Sequence, residues 1–130
     1  MMAKWKVIDM TPLTMVEQFA VAMGQPLGLP WVTGDTDTVE NMRFKLINEE
    51  FIEFSDEYKD PVAALKELAD LVYVCYGYAA TFGWDLDEAV KRVHTSNMSK
   101  LGDDGKPIKR EDGKVQKGPN YKKPDLTDLV

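Results

Sequence analysis

Asn48-Glu49-Glu50-Phe51-Ile52-Glu53-Phe54 and, a dozen residues later, Lys66-Glu67-Leu68-Ala69-Asp70-Leu71-Val72 are the two stretches that decide how this chain is read. Each sets carboxylates three residues apart, and residues three apart share one face of an α-helix. Glu50 and Glu53 therefore point the same way, with Glu49 about 100° round from Glu50. Glu67 and Asp70 form the matching pair. The acids are embedded in apolar sequence, so helix periodicity and chemistry must be explained together.

Working outward, Val39, Met42, Leu46, Ile47, Phe54 and Tyr58 form the apolar stripe of a helix starting near Asp35 to Asp37 and ending near Tyr58. Asp60-Pro61 stops that helix and starts the next, which the pattern carries to Phe82 before Gly83. From Leu68 to Ala80 this third helix is apolar almost all round, the pattern of a buried helix. Upstream, Met15, Val16, Phe19, Ala20 and Met23 give a helix over Pro12–Met23, with Thr11 as N-cap and Pro12 at the first helical position. Downstream, Asp85 with Glu88 three residues on reads as a capping box for a fourth helix reaching about Lys100. Gly102, Gly105, Pro107, Gly113, Gly118, Pro119 and Pro124 then forbid a long helix. Asp112-Gly113 between Ile108 and Val115 suggests a small hairpin, followed by an extended tail with Tyr121 and Leu126 as anchors. The expectation is an all-α chain: a four- to five-helix bundle in a single domain over residues 1–130, its helical body over about 11–101 and an irregular tail over about 102–130.

Composition narrows the function. The 130 residues carry a net charge of −6, and residues 1–100 hold 9 Lys and Arg against 16 Asp and Glu. Such an acidic body argues against a nucleic-acid partner, which needs a basic surface. No long apolar stretch marks a signal peptide or a membrane span. With Cys75 the one cysteine, no internal disulfide can form, so a cytoplasmic location is the expectation. With His94 the one histidine, a zinc site is close to excluded, and so is a di-iron bundle, which needs Glu-x-x-His twice; Lys91 stands three residues after Glu88. Asp35-Thr36-Asp37 and Asp103-Asp104-Gly105 lack the twelve-residue EF-hand pattern.

Asp56, Glu57 and Asp60 read as solvated surface acids. Asp70 does not: Leu68 and Ala69 precede it, Leu71 to Cys75 follow, and no Lys or Arg lies in that apolar part of the helix. Burying an unpaired charge is costly, and two like charges about 4 Å apart repel by about 4 kcal/mol at an effective dielectric near 20. Converging carboxylates therefore need either basic partners or a cation. Ligands that are all oxygen select Mg²⁺, Mn²⁺ or Ca²⁺, and Mg²⁺ commonly shares its shell with substrate phosphates.

Glu49-Glu50-Phe51-Ile52-Glu53 followed by Glu67-Leu68-Ala69-Asp70 resembles the EExxE…ExxD signature of the all-α nucleoside triphosphate pyrophosphohydrolases, the superfamily of MazG, the dimeric dUTPases and phosphoribosyl-ATP pyrophosphohydrolase. Val93-His94-Thr95-Ser96-Asn97-Met98-Ser99-Lys100 extends the match, and the tail from Gly105-Lys106 through Pro124-Asp125-Leu126 resembles the ending of a MazG-like subgroup. The resemblance covers about residues 39–126 and implies Mg²⁺, with Mn²⁺ as a substitute, held by Glu50, Glu53, Glu67 and Asp70. It makes Glu49 a further ligand or the group that orients the attacking water, and Asn97 and Lys100 the phosphate-contacting pair. The implied reaction is hydrolysis of a nucleoside triphosphate, a dNTP by preference, to the monophosphate and pyrophosphate in nucleotide-pool control or house-cleaning. The alternatives are phosphoribosyl-ATP hydrolysis in histidine synthesis and, in another class, a non-catalytic helical binding module.

The remaining candidates carry less. Lys100 also suits a helix C-terminus, where a cation meets the dipole. Arg43 reads as a structural partner for an acid, His94 as a packing or hydrogen-bonding residue, and Tyr73, Tyr76 and Tyr78 as core or subunit interface. Gln25, Trp31 and Tyr121 are open to contact with a nucleobase, without a motif to carry it. A helix apolar all round in so short a chain also predicts a homodimer or homotetramer, which would cover it.

Overall fold

The computed structural model describes residues 9–34 and 37–130. Asp35 and the N-terminal stretch through Lys6 lie outside the described residues. Among the described residues the chain is all-α, with four helices and no β-strand: α1 (Pro12–Ala22), α2 (Val39–Asp56), α3 (Pro61–Thr81) and α4 (Leu86–Met98). No helix of the described residues is long and apolar enough to cross a membrane. The chain divides into two compact units, Met1–Leu86 and Asp87–Val130.

In the first unit, α1 and α2 both pack on α3. The helix starts follow from local chemistry. The Thr11 side chain accepts from Thr14 N, with Pro12 opening the helix, as expected. α2 begins at Val39, the first residue of its apolar stripe and later than the expected start near Asp35 to Asp37, because Thr38 is the cap and accepts from Asn41 N at 3.1 Å. The Asp60 carboxylate accepts from Val62 N and Ala63 N ahead of Pro61. α3 ends where Gly83, at φ +71°, turns the chain. Gly83 N and Trp84 N then donate to Ala80 O and Ala79 O, a glycine-dependent C-terminal stop. The segment after α1 returns along this end of α3, Leu29 N donating to Thr81 O at 2.7 Å.

The core gathers there: Met10, Val16, Ala20, Ala79, Ala80, Thr81 and Phe82 are buried. Trp31, Tyr78, Phe82 and Trp84 cluster with ring centroids 5.2–5.8 Å apart, and Trp31 Nε1 donates to the Tyr78 hydroxyl, which donates to Glu40. The other end of α3 departs from expectation. In the single chain only Gly77, Ala79, Ala80 and Thr81 of α3 are buried, while Leu65 is 67% and Val72 46% exposed. One neighbour on each of two sides leaves the third side of an all-apolar helix uncovered.

In the second unit the segment after α4 folds back on it. Ser96 Oγ donates to Lys122 O at 2.7 Å and Lys122 N donates to Ser99 Oγ at 2.9 Å. Arg92 donates to Asp125 O and to the Asp128 carboxylate. The hairpin is reduced to an antiparallel bridge between Lys109 and Val115 around Asp112-Gly113. Polar side chains of α4 therefore hold the tail more than its own apolar anchors do, although Tyr121 and Leu126 are half-buried as well. A 3₁₀ turn, Thr127–Leu129, ends the chain.

Candidate metal and nucleotide site

α2 and α3 run antiparallel, and their register decides which acids meet. Glu50, Glu67 and Asp70 each place one carboxylate oxygen within 4.8 Å of the others, and all three are half-buried. Oε2 of Glu50 and Oε2 of Glu67 are buried without a hydrogen-bond partner. Buried polar atoms are rarely left so, and an orphaned oxygen on each of two adjacent helices is what a hard cation would satisfy. The donor set therefore fits Mg²⁺ or Mn²⁺. Burial pushes the Glu50 carboxyl up, and the charges of Glu53, Asp70 and Glu67 push it the same way.

The five expected ligands are not equivalent. Glu53 lies close enough to act on Glu50 but is exposed and outside the three-residue cluster. Glu49 is exposed on the turn beside them. Asp70 is not without a basic partner: Lys66 Nζ pairs with Asp70 Oδ2 at 2.7 Å and with Glu67 Oε1 at 3.4 Å. The i, i+4 spacing made this pair readable in the sequence. Lys66 holds two acids together without burying itself, since its side chain is 67% exposed.

Arg43 also departs from expectation. No carboxylate pairs with it among the described residues. It is buried at 7% exposure, Nη2 donates to Gln25 Oε1 at 3.2 Å, and Nε has no acceptor. Gly77 faces it across the helix pair, where a Cβ would stand 3.1 Å from Nη1. A glycine inside a helix costs about 0.5–1 kcal/mol relative to alanine, and here it makes room for the guanidinium.

Asn97 and Lys100 belong to the second unit. Asn97 is exposed; Lys100 is half-buried just past α4, its carbonyl accepting from Gly118 N at 2.9 Å. His94 is exposed rather than packed. Arg110 is paired with Asp112 at 2.8 Å. Tyr73 meets Phe19 edge-on at 5.8 Å while remaining part-exposed.

A helical hairpin carrying EExxE on one arm and ExxD on the other, with three of those acids converging, defines a class of MazG-like nucleotide pyrophosphohydrolases. The sequence profile of the phosphoribosyl-ATP pyrophosphohydrolase family matches residues 16–97, more than half of the chain, and the chain belongs to that family. Its class of activity is nucleotide pyrophosphohydrolysis. No curated protein matches the chain closely enough to count as a relative.

Proposed function

We propose that this protein hydrolyses a nucleoside triphosphate, a dNTP by preference, to the monophosphate and pyrophosphate in a Mg²⁺-dependent reaction. The convergence of Glu50, Glu67 and Asp70, with two orphaned buried oxygens, carries the reading. These three residues, with Glu53 beside Glu50, would hold the metal. A metal held there neutralises phosphate charge and makes a nearby water more acidic. Glu49, one residue before a ligand and free to solvent, orients the attacking water and takes up its proton. The water oxygen bonds to the α-phosphorus, the bond from that phosphorus to the α,β-bridging oxygen breaks, and pyrophosphate departs with that oxygen. Asn97, in the last turn of α4, and Lys100, just past its end, bind phosphate oxygens.

A second reading has one specific support. The matching family takes its description from phosphoribosyl-ATP, whose cleavage breaks the same α,β bond. A panel of dNTPs, NTPs and phosphoribosyl-ATP, assayed by phosphate release with added pyrophosphatase, separates the two. Turnover should need Mg²⁺ or Mn²⁺, so full activity in excess EDTA would sink the metal assignment. In ¹⁸O-water the label should enter the monophosphate; label in pyrophosphate would move the attack to the β-phosphorus. A chain inert across the whole panel would leave a binding module.

A further inference from the structure

Where α1, α2 and α3 meet there is a cavity of about 120 Å³, walled by Val16, Phe19, Leu46 and Tyr73 and carrying two strongly polar groups, Arg43 and Gln25. Among the described residues no carboxylate lines it. Arg43 is the anomaly: its guanidinium is buried, its Nε lacks an acceptor, and burial pushes its pKa down. A buried donor group left unpaired is destabilising, so the wall chemistry asks for an acceptor from outside the chain. Phe19, Gln25 and Tyr73 are each part-exposed, which gives the cavity a mouth.

Position supplies the ligand class. Arg43 and Glu50 are seven residues apart on α2, and their opposite numbers Gly77 and Asp70 are seven apart on α3. Two helical turns at 1.5 Å per residue separate the cavity from the acids by about 10 Å along the same helix pair. That is the reach from the phosphates of a nucleotide across its sugar to its base. Whole-ligand sites run to about 300 Å³ and more, so this cavity suits one part of a ligand, a single flat ring between apolar walls. A ring with a carbonyl oxygen would satisfy the guanidinium.

We infer that the Arg43–Gln25 cavity is the base pocket of the enzyme and selects a pyrimidine, whose ring carbonyl accepts from Arg43. The inference rests on the proposed nucleoside triphosphate substrate and narrows it: a single ring is the better filling for about 120 Å³, and adenine brings no ring carbonyl to Arg43, which disfavours phosphoribosyl-ATP. It also gives Gly77 a reason, since any side chain there would crowd the guanidinium.

Arg43→Met keeps the bulk and removes the buried charge, so the variant should fold, as circular dichroism would show. Its KM for dCTP, dUTP or dTTP should rise at least tenfold, with the preference over dATP and dGTP lost and kcat little changed. Gly77→Ala suits a helix interior and pushes the guanidinium aside through one methyl; it should lose selectivity in the same direction by a smaller factor. A wild-type preference for purines, or an unchanged pyrimidine KM in both variants, would overturn the assignment. A second measurement needs neither metal nor turnover, and so decides the cavity even where the hydrolysis assay fails. The Nε–H resonance of Arg43, identified by its absence from Arg43→Met, should move when deoxyuridine or deoxycytidine is titrated into the protein in EDTA. No movement at saturating nucleoside, or movement with inorganic phosphate alone, would refute a base pocket.

Discussion

Glu50 meets opposing demands at the scale of a single residue. Its carboxylate is half-buried among three other acids, and one oxygen has no partner. That arrangement is poor for the metal-free protein and good for holding a cation. Glu50→Gln should therefore abolish most turnover, a hundredfold loss or more, while raising the melting temperature of the protein in EDTA at neutral pH. Activity assays and thermal unfolding of one preparation test both halves; a lower melting temperature would mean that Glu50 stabilises the fold. Asp70 differs because Lys66 already compensates it, so Asp70→Asn should lose activity with little gain in stability. Lys100 carries no carboxylate partner among the described residues. If it binds phosphate, Lys100→Ala removes one charge-assisted contact worth about 1.5–3 kcal/mol, a ten- to hundredfold loss in kcat/KM. Wild-type kinetics would reduce Lys100 to a cation suited to a helix end.

The tail's hold on α4 is an element-scale property with a pH dependence. Hydrogen bonds from Arg92, with one from backbone, keep the Asp128 carboxyl below the ordinary carboxylate range. A group depressed in the folded state contributes stability above its unfolded pKa, about 3.9 for Asp. That contribution disappears as pH falls through the lower, folded value. The tail contact should thus be intact at neutral pH and loosen only in strong acid, read by hydrogen exchange of Lys122 N and Thr127 N. Arg92→Gln should shift the Asp128 titration back up to the ordinary range and weaken protection at neutral pH too. An unchanged exchange profile would place the tail's stability in the Ser96 and Ser99 hydrogen bonds instead.

For the whole molecule the open question is what covers α3. Leu65, Leu68, Ala69 and Val72 with Pro12 and Met15 line an apolar hollow of about 270 Å³ that the chain leaves open. Apolar surface of that kind marks an interaction face. We expect a dimer or larger assembly by light scattering at micromolar concentration. Leu65→Glu with Val72→Glu should dissociate it while circular dichroism stays helical. A wild-type monomer would contradict the expectation directly.

Periodicity and spacing were enough to foresee the helices, because each start is a local event: Thr11 and Asp60 cap within three residues of themselves. The acid pairs were legible for the same reason, since i, i+3 spacing is a property of one helix. The start of α2 was misplaced, since an apolar stripe does not say which of several polar residues becomes the cap. The exposure of α3 was misjudged because periodicity reports which faces are apolar, not how many neighbours arrive to cover them. What only the tertiary structure decided is the register between α2 and α3. Sliding that pair by one turn would leave Glu50 without Asp70 and Arg43 without the gap above Gly77, and nothing within either helix specifies the match. Packing specifies it, because opposite Gly77 the buried Arg43 guanidinium has room that a Cβ, 3.1 Å from Nη1, would narrow.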